Sequence, residues 1–254
     1  MRSKSIITKT LDAAGLKRES WLRSTFNERY EYLRRERRIE AHAFRSFSQF
    51  GEDAFVQSML RDSPLRGQMG VYLDIGSGEP IRGSNTYALY RQGWAGTLVD
   101  PIRHNVVDSQ RFRPRDRIIQ ACVGAEPGFI DFVEFETYEF STASPARLAE
   151  LQSQGWEPRG RYQTPVITVE QLGIGMTPES PTVMSIDVEG GEDAVLDGIN
   201  WDTCSPAILI IEEWDGPLAK ESLRMRRLAD CGYEITAVVG YSSIYRHHLF
   251  PRRR

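Results

Sequence analysis

The chain has 254 residues, 40% hydrophobic and 26% charged, enough for one large α/β domain with a sizeable core. No apolar run approaches the ~20 residues that span a bilayer, and Cys122, Cys204 and Cys231 fit neither a disulfide framework nor a thiolate zinc site. A net charge of −3 hides a basic first stretch, residues 1–45, beside an acidic remainder that makes nucleic acid an unexpected partner.

Leu16 to Ala43 reads as an accessory helix, with Trp21, Leu22, Phe26, Tyr30 and Leu33 three to four residues apart on a narrow apolar stripe. It can pack on the domain, pair with a second copy in a homo-oligomer, or cap a pocket. Its basic face and the Arg252-Arg253-Arg254 tail suit peripheral association with an anionic membrane surface; the alternative is a solvated helix face. No apolar signal segment opens the sequence, so the expected location is cytoplasmic.

From residue 46 onward a second domain is expected, 46–254. A helix over Phe47–Leu60, with Ser48 as its cap, leads to a strand at 71–75 and a helix near 84–92. Strands follow at 94–100 and 117–123, with an inserted strand or hairpin arm at 128–135. Residues 138–163 are polar and contain Gly155 and Pro158, which predicts a substrate loop or lid in which Tyr138, Phe140, Trp156 and Tyr162 are available to stack on a ligand. After Val166–Val169 come a strand at 183–187, a helix from Glu192 to about Leu196, and an apolar strand at 207–211. Helix 217–230 and strands at 233–239 and 244–250 close the domain, the last bringing His247 and His248. Strands and helices alternating at these spacings predict an α/β fold: a mostly parallel central sheet with helices on both faces.

The most informative stretch is Val71-Tyr72-Leu73-Asp74-Ile75-Gly76-Ser77-Gly78, an apolar strand running into an acid and two glycines. Glycines there let a nucleotide-like ligand lie against the backbone, at the strand edge where such sheets bind ligands. Ile81 occupies the third glycine position of the dinucleotide fingerprint, and an acid before the glycines suits a ligand carrying an ammonium group; both favour S-adenosylmethionine over NAD.

Asp74, Asp100, Asp187, Glu212 and Glu213 all fall at the carboxyl ends of predicted strands, so the topology gathers them on one edge. Asp100, twenty-six residues after Asp74, is placed to accept hydrogen bonds from two ribose hydroxyls. Asp187, Glu189, Glu212 and Glu213 form an all-oxygen set that favours Mg²⁺ or Mn²⁺. Glu189 is the candidate general base, with Asp187 its catalytic neighbour; the competing reading makes Glu189 a cap on its own helix.

Several blocks together carry a family resemblance: Ser48-Gln49-Phe50-Gly51-Glu52-Asp53, the 72–78 turn, Ser84-Asn85-Thr86-Tyr87, the 93–101 strand, Ser141-Thr142, and Ser185-Ile186-Asp187-Val188-Glu189-Gly190-Gly191-Glu192. From about Phe47 to Glu213 the chain resembles the FkbM-type S-adenosylmethionine-dependent methyltransferases, which have the class I Rossmann-like fold. The resemblance implies methyl transfer to a hydroxyl of a sugar, polysaccharide or glycosylated natural product. It also implies that Gln49 and Glu52 close over the cofactor, and that Asp74, Gly76 and Ser77 hold its methionine end. Asn85 lies in the same set, Asp100 takes the ribose, and Cys122 borders the adenine. Related metal-dependent sugar O-methyltransferases carry their cation on acids matching Asp187, Glu212 and Glu213, often with Asp where this chain has Glu. Two other readings are a metal-independent methyltransferase acting on a non-sugar small molecule, and a cofactor-binding scaffold without catalysis.

Overall fold

A computed structural model describes residues 45–213 and 223–252; the N-terminal helix expected at 16–43 and the start of the helix expected at 217–230 lie outside them. The chain divides into a unit of residues 1–44 and one of residues 45–254.

The second unit is built on a seven-stranded sheet. Its strands in chain order are β1 (Val71–Ile75), β2 (Ala95–Asp100), β3 (Arg117–Gln120), β7 (Thr182–Ile186), β8 (Ile208–Glu212), β9 (Tyr233–Val239) and β10 (Ser242–His247). Between β3 and β7 the chain leaves the sheet for three further strands, β4 (Cys122–Val123), β5 (Gly128–Glu134) and β6 (Gly160–Ile167). The large sheet runs β3-β2-β1-β7-β8-β10-β9. Its first five strands are parallel, and β10 is antiparallel to both neighbours. This is the mostly parallel, Rossmann-like architecture expected. The chain steps outward from β1 to β3 and then restarts at β7 on the other flank, so a ligand-binding crevice opens where β1 and β7 diverge.

Alternating side chains explain why the sheet is covered on both faces. Tyr72, Leu98, Val183, Ile208 and Ile210 face a core shared with Val56 and Leu60 of α1 (Glu52–Arg61) and Leu89 of α2 (Tyr87–Arg91). Leu73, Ile75, Met184, Ile186, Leu209 and Ile211 face the other core, with Val195 and Leu196 of α5 (Glu192–Asp197) and Leu228 of α6 (Leu223–Asp230). Each such buried aliphatic side chain contributes about 1.5–3 kcal/mol. The remaining helices are α3 (Arg103–Phe112) and α4 (Pro145–Ser153).

Three expectations are corrected. The strand predicted over 117–123 divides at Ala121: β3 pairs with β2, whereas β4 joins the small sheet, order β4-β6-β5. The 138–163 segment is not an irregular loop. It holds a short 3₁₀ turn (Tyr138–Phe140), then α4, capped by the Ser144 hydroxyl with Pro145 at its first position, then the first half of β6. Ser48 precedes α1 without being its N-cap, which is Gly51. Its hydroxyl accepts the Gly51 and Asp53 N–H groups, while the buried Asp53 carboxylate takes Phe47 N–H and the Ser48 hydroxyl.

Candidate active site

A cavity of about 700 Å³ opens over the carboxyl ends of β1, β2 and β7. Of the sequence-predicted residues, Gln49, Asp74, Gly76, Ser77, Asn85, Asp100, Cys122, Asp187, Glu189 and Glu212 line it. Phe47 to Gln49 reach it because Ser48 pairs with Gly83 beyond β1, sealed by Gly83 N–H donating to Phe47 O at 2.8 Å.

The glycine turn after β1 forms one end. Gly76 has φ 74°, and a Cβ there would lie 1.7 Å from the carbonyl oxygen of Asp187, so only glycine lets β1 and the β7 loop approach this closely. Asp100 fastens the turn to β2. Its Oδ2 accepts Gly78 N–H at 2.8 Å, and its Oδ1 accepts Ile102 N–H at 2.8 Å and the Asn105 amide at 3.3 Å. Burial pushes its pKa up to about 7 against these bonds, which pull it down. Burial likewise raises Asp74 to about 6, opposed by Arg113 and by the Thr86 hydroxyl that donates to its Oδ2. The Asn85 amide donates to Ser185 Oγ at 3.1 Å, tying the α2 side of the crevice to β7. Ser77 Oγ is buried with no hydrogen-bond partner among the described residues. Ile130 and Phe132 of β5 and Val166 of β6 complete the wall beyond Cys122, whose thiol burial pushes up to about 12.

The other end is acidic. Asp187, Glu189 and Glu212 each present a carboxylate oxygen within 4.8 Å of the others. Burial, reinforced by Glu212, raises Asp187 well above the usual carboxylate range. Burial and the Asp187 charge raise Glu189 to about 8, with Arg147 pulling it down. Arg147 Nη2, on α4, lies 3.4 Å from Glu189 Oε2. Glu189 has φ 55°, the single non-glycine residue in the left-handed region among those described; such a conformation costs about 1–3 kcal/mol and persists only where neighbours hold it. Here the Thr142 hydroxyl donates to the Glu189 carbonyl at 2.7 Å.

Two expected site residues are elsewhere. Glu213 follows Glu212 by one residue and so points to the opposite face of the sheet. It takes hydrogen bonds from Ser243 and Tyr245 and lies 3.4 Å from Arg224, so the carboxylate trio contains Glu189 in its place. Glu52 is buried at the start of α1, where its carboxylate accepts Phe50 N–H at 2.9 Å, and does not line the cavity. The cap role considered for Glu189 belongs to Glu192, whose carboxylate accepts Gly190 N–H at 3.1 Å and Val188 N–H at 3.3 Å. Tyr138 and Phe140 line the cavity, whereas Trp156 packs edge-on against Phe140 at 4.6 Å and Tyr162 contacts Phe132. His247 ends β10, which runs antiparallel to β8, and so sits at the sheet edge remote from the site.

Sequence reasoning assigned no role to Arg113, Thr86 or Arg147. Thr86 stands in a block singled out for its resemblance; the two arginines carry no local signature, since their partners are distant in the chain.

The Methyltransferase FkbM domain family matches residues 74–235. Among solved structures, the chain is similar to a methyltransferase from Geobacter sulfurreducens, with 15% identity and a TM-score of 0.40 over 96% of this chain and 97% of that one. It is also similar to the C-terminal domain of precorrin-6Y C5,15-methyltransferase from Rhodobacter capsulatus, with 14% identity and a TM-score of 0.37 over 76% of this chain and 86% of that one. No curated protein matches. No helix among the described residues is long and apolar enough to cross a membrane.

Proposed function

The chain belongs to the FkbM methyltransferase family, and on that premise we propose that it is an O-methyltransferase acting on a hydroxyl of a sugar, polysaccharide or glycosylated natural product. The family implies S-adenosylmethionine as methyl donor. The residues at the glycine end fit that group. Gly76 and Gly78 line the cavity without side chains, and the unpartnered Ser77 hydroxyl offers a polar contact inside it. Asp100 keeps one acceptor position on Oδ2 for a ribose hydroxyl after its three donors are counted.

The observation that carries the reading is the position of Glu189 in the same cavity as the glycine turn. A hydroxyl needs help losing its proton, and the ionised form of a carboxyl raised to about 8 is a stronger base than an ordinary glutamate. Bound S-adenosylmethionine supplies an electrophilic methyl group on a sulfonium. The protein holds the acceptor oxygen against it, takes the proton at Glu189 and keeps water out with the 138–145 wall.

A divalent cation fits the trio. Three crowded carboxylates, Glu189 and Glu212 buried and Asp187 half-buried, repel one another, and a hard cation would relieve that repulsion. Asp187 and Glu212 would hold it, with Glu189 beside them kept as the base, and its chemistry would be to acidify the acceptor hydroxyl. Arg147 favours a second reading, transfer without metal, because a guanidinium 3.4 Å from Glu189 already supplies positive charge.

The test is calorimetric titration of S-adenosylhomocysteine, with NAD⁺ as control, followed by a labelled-methyl screen of glycan acceptors with Mn²⁺ or with chelator. Micromolar binding of the first ligand alone, with transfer that chelation abolishes, supports the full reading. Transfer insensitive to chelation selects the metal-free one. No binding by folded protein removes both.

A further inference from the structure

We infer that Arg113, acting through the Thr86 hydroxyl, is the positioning residue that presents Asp74 to the cationic amino group of the cofactor. The inference rests on reading the cavity as an S-adenosylmethionine site.

Arg113 is fully buried just past α3, an unusual place for a guanidinium. Its Nε donates to Asp116 at 2.7 Å, its Nη1 to Ser84 Oγ at 3.2 Å and its Nη2 to Thr86 Oγ1 at 2.9 Å. Tyr72 and Tyr90 lie with ring centres 5.2 and 5.4 Å from its Cζ. It does not line the cavity, but its Nη1 stands 4.0 Å from Asp74 Oδ2, which does.

The direction of the chain of bonds follows from atom counting. A threonine hydroxyl has one proton to give. Because Thr86 Oγ1 accepts from Arg113, its own proton goes to Asp74 Oδ2. A carboxyl group that receives a hydrogen bond there is held as an acceptor, with its rotamer fixed by a donor that is itself fixed. Thr86 is the one hydrogen-bond donor that Asp74 has among the described residues, so Oδ1 is left for a ligand.

Charge counting agrees. One guanidinium serves two buried carboxylates, Asp116 and Asp74. Asp116 is the better served of the two: it accepts the Tyr72 hydroxyl at 2.7 Å and Gly96 N–H at 2.9 Å besides Arg113. The arrangement is short of one positive charge on the cavity side, and the missing group is an alkylammonium such as the one on the methionine end of the cofactor. Arg113 holds Asp74 in place without neutralising it fully.

The experiment compares two ligands by calorimetry. S-adenosylhomocysteine carries the amino group, and 5′-methylthioadenosine keeps the nucleoside and sulfur but lacks the whole amino-acid arm, amino group and carboxylate together. With Thr86→Val, the first should weaken about tenfold or more, near 1.4 kcal/mol, while the second stays within about twofold. Thr86→Ser, which restores the hydroxyl, should bind both like wild type. Arg113→Lys keeps the charge, loses the fork and should give the same split, and it serves if Thr86→Val does not fold. Equal weakening of both ligands means a merely structural role and overturns the inference, as does unchanged binding of both. If wild type binds neither ligand, the cofactor reading itself fails, and the inference with it.

Discussion

The two ends of the cavity hold buried carboxylates in opposite ways. At the glycine end Asp100 is stitched by three donors, and Asp74 is held by Thr86 beside a guanidinium. At the other end Asp187, Glu189 and Glu212 face one another, with a left-handed backbone at Glu189 and Arg147 as the nearby positive charge. An acid that makes bonds within the fold is part of a rigid cradle. One kept against its neighbours' repulsion stores free energy that a ligand, a cation or a proton can release. On the function proposed above, the first end serves binding and the second chemistry.

The strongest challenge to that division is Gly76→Val. A side chain cannot occupy 1.7 Å from the Asp187 carbonyl, so the β1 turn and the β7 loop must separate and both ends suffer at once. We expect no detectable S-adenosylhomocysteine binding by calorimetry and a thermal midpoint lowered by several degrees, from a destabilisation of about 2 kcal/mol or more. Retained binding would mean that the close approach does not shape the cradle.

Glu189→Gln separates the ends. It removes the proposed proton acceptor and one carboxylate of the trio without touching the glycine turn. Turnover measured by labelled-methyl transfer should fall by about 10²–10⁴, while S-adenosylhomocysteine affinity stays within about threefold. If affinity falls with turnover, the two ends are not independent.

The pH dependence sharpens the picture of the glycine end. Asp74 is raised by burial from 3.8 to about 6 in the unliganded fold. The native state therefore binds more protons than the unfolded chain between those values. Through that window the Asp74 contribution to stability falls as pH rises. Ligand binding runs the other way, because an ammonium needs the ionised carboxylate. Affinity for S-adenosylhomocysteine should drop as pH falls below about 6, more steeply, by up to about tenfold per unit, than that for 5′-methylthioadenosine, which keeps only the ribose contact to Asp100. Calorimetry from pH 5 to 8 checks it.

Much of this was legible in the sequence. Short apolar runs alternating with helical stretches pointed to a mostly parallel sheet, and acids at the strand ends had to share an edge once the sheet was parallel. What escaped was set by registers and rotations that no spacing encodes. Glu212 and Glu213 are equivalent as letters, and only the pleat decides which of them faces the cavity. Glu189 was expected in the acidic set, but the left-handed turn that brings it there is not announced by a β-strand pattern. Arg113 meets Thr86 from 27 residues away, and Arg147 meets Glu189 across a helix that the polar composition of 138–163 disguised as a loop.

Glu213 supplies the smallest effect and the most specific control. It is as buried as Glu189, yet its bonds run to β10 and Arg224, away from the trio. Glu213→Gln should therefore cost about 1–3 kcal/mol of stability in thermal melting, through weakened charge-assisted bonds to Ser243, Tyr245 and Arg224. Mn²⁺ binding, followed by loss of the free-ion spin resonance signal, should be unchanged, whereas Glu212→Gln should weaken it. Equal losses of Mn²⁺ binding in the two variants would place Glu213 at the chemical end of the cavity after all. A loss confined to Glu212→Gln makes the one-residue alternation of the strand the device that separates a binding acid from a structural one.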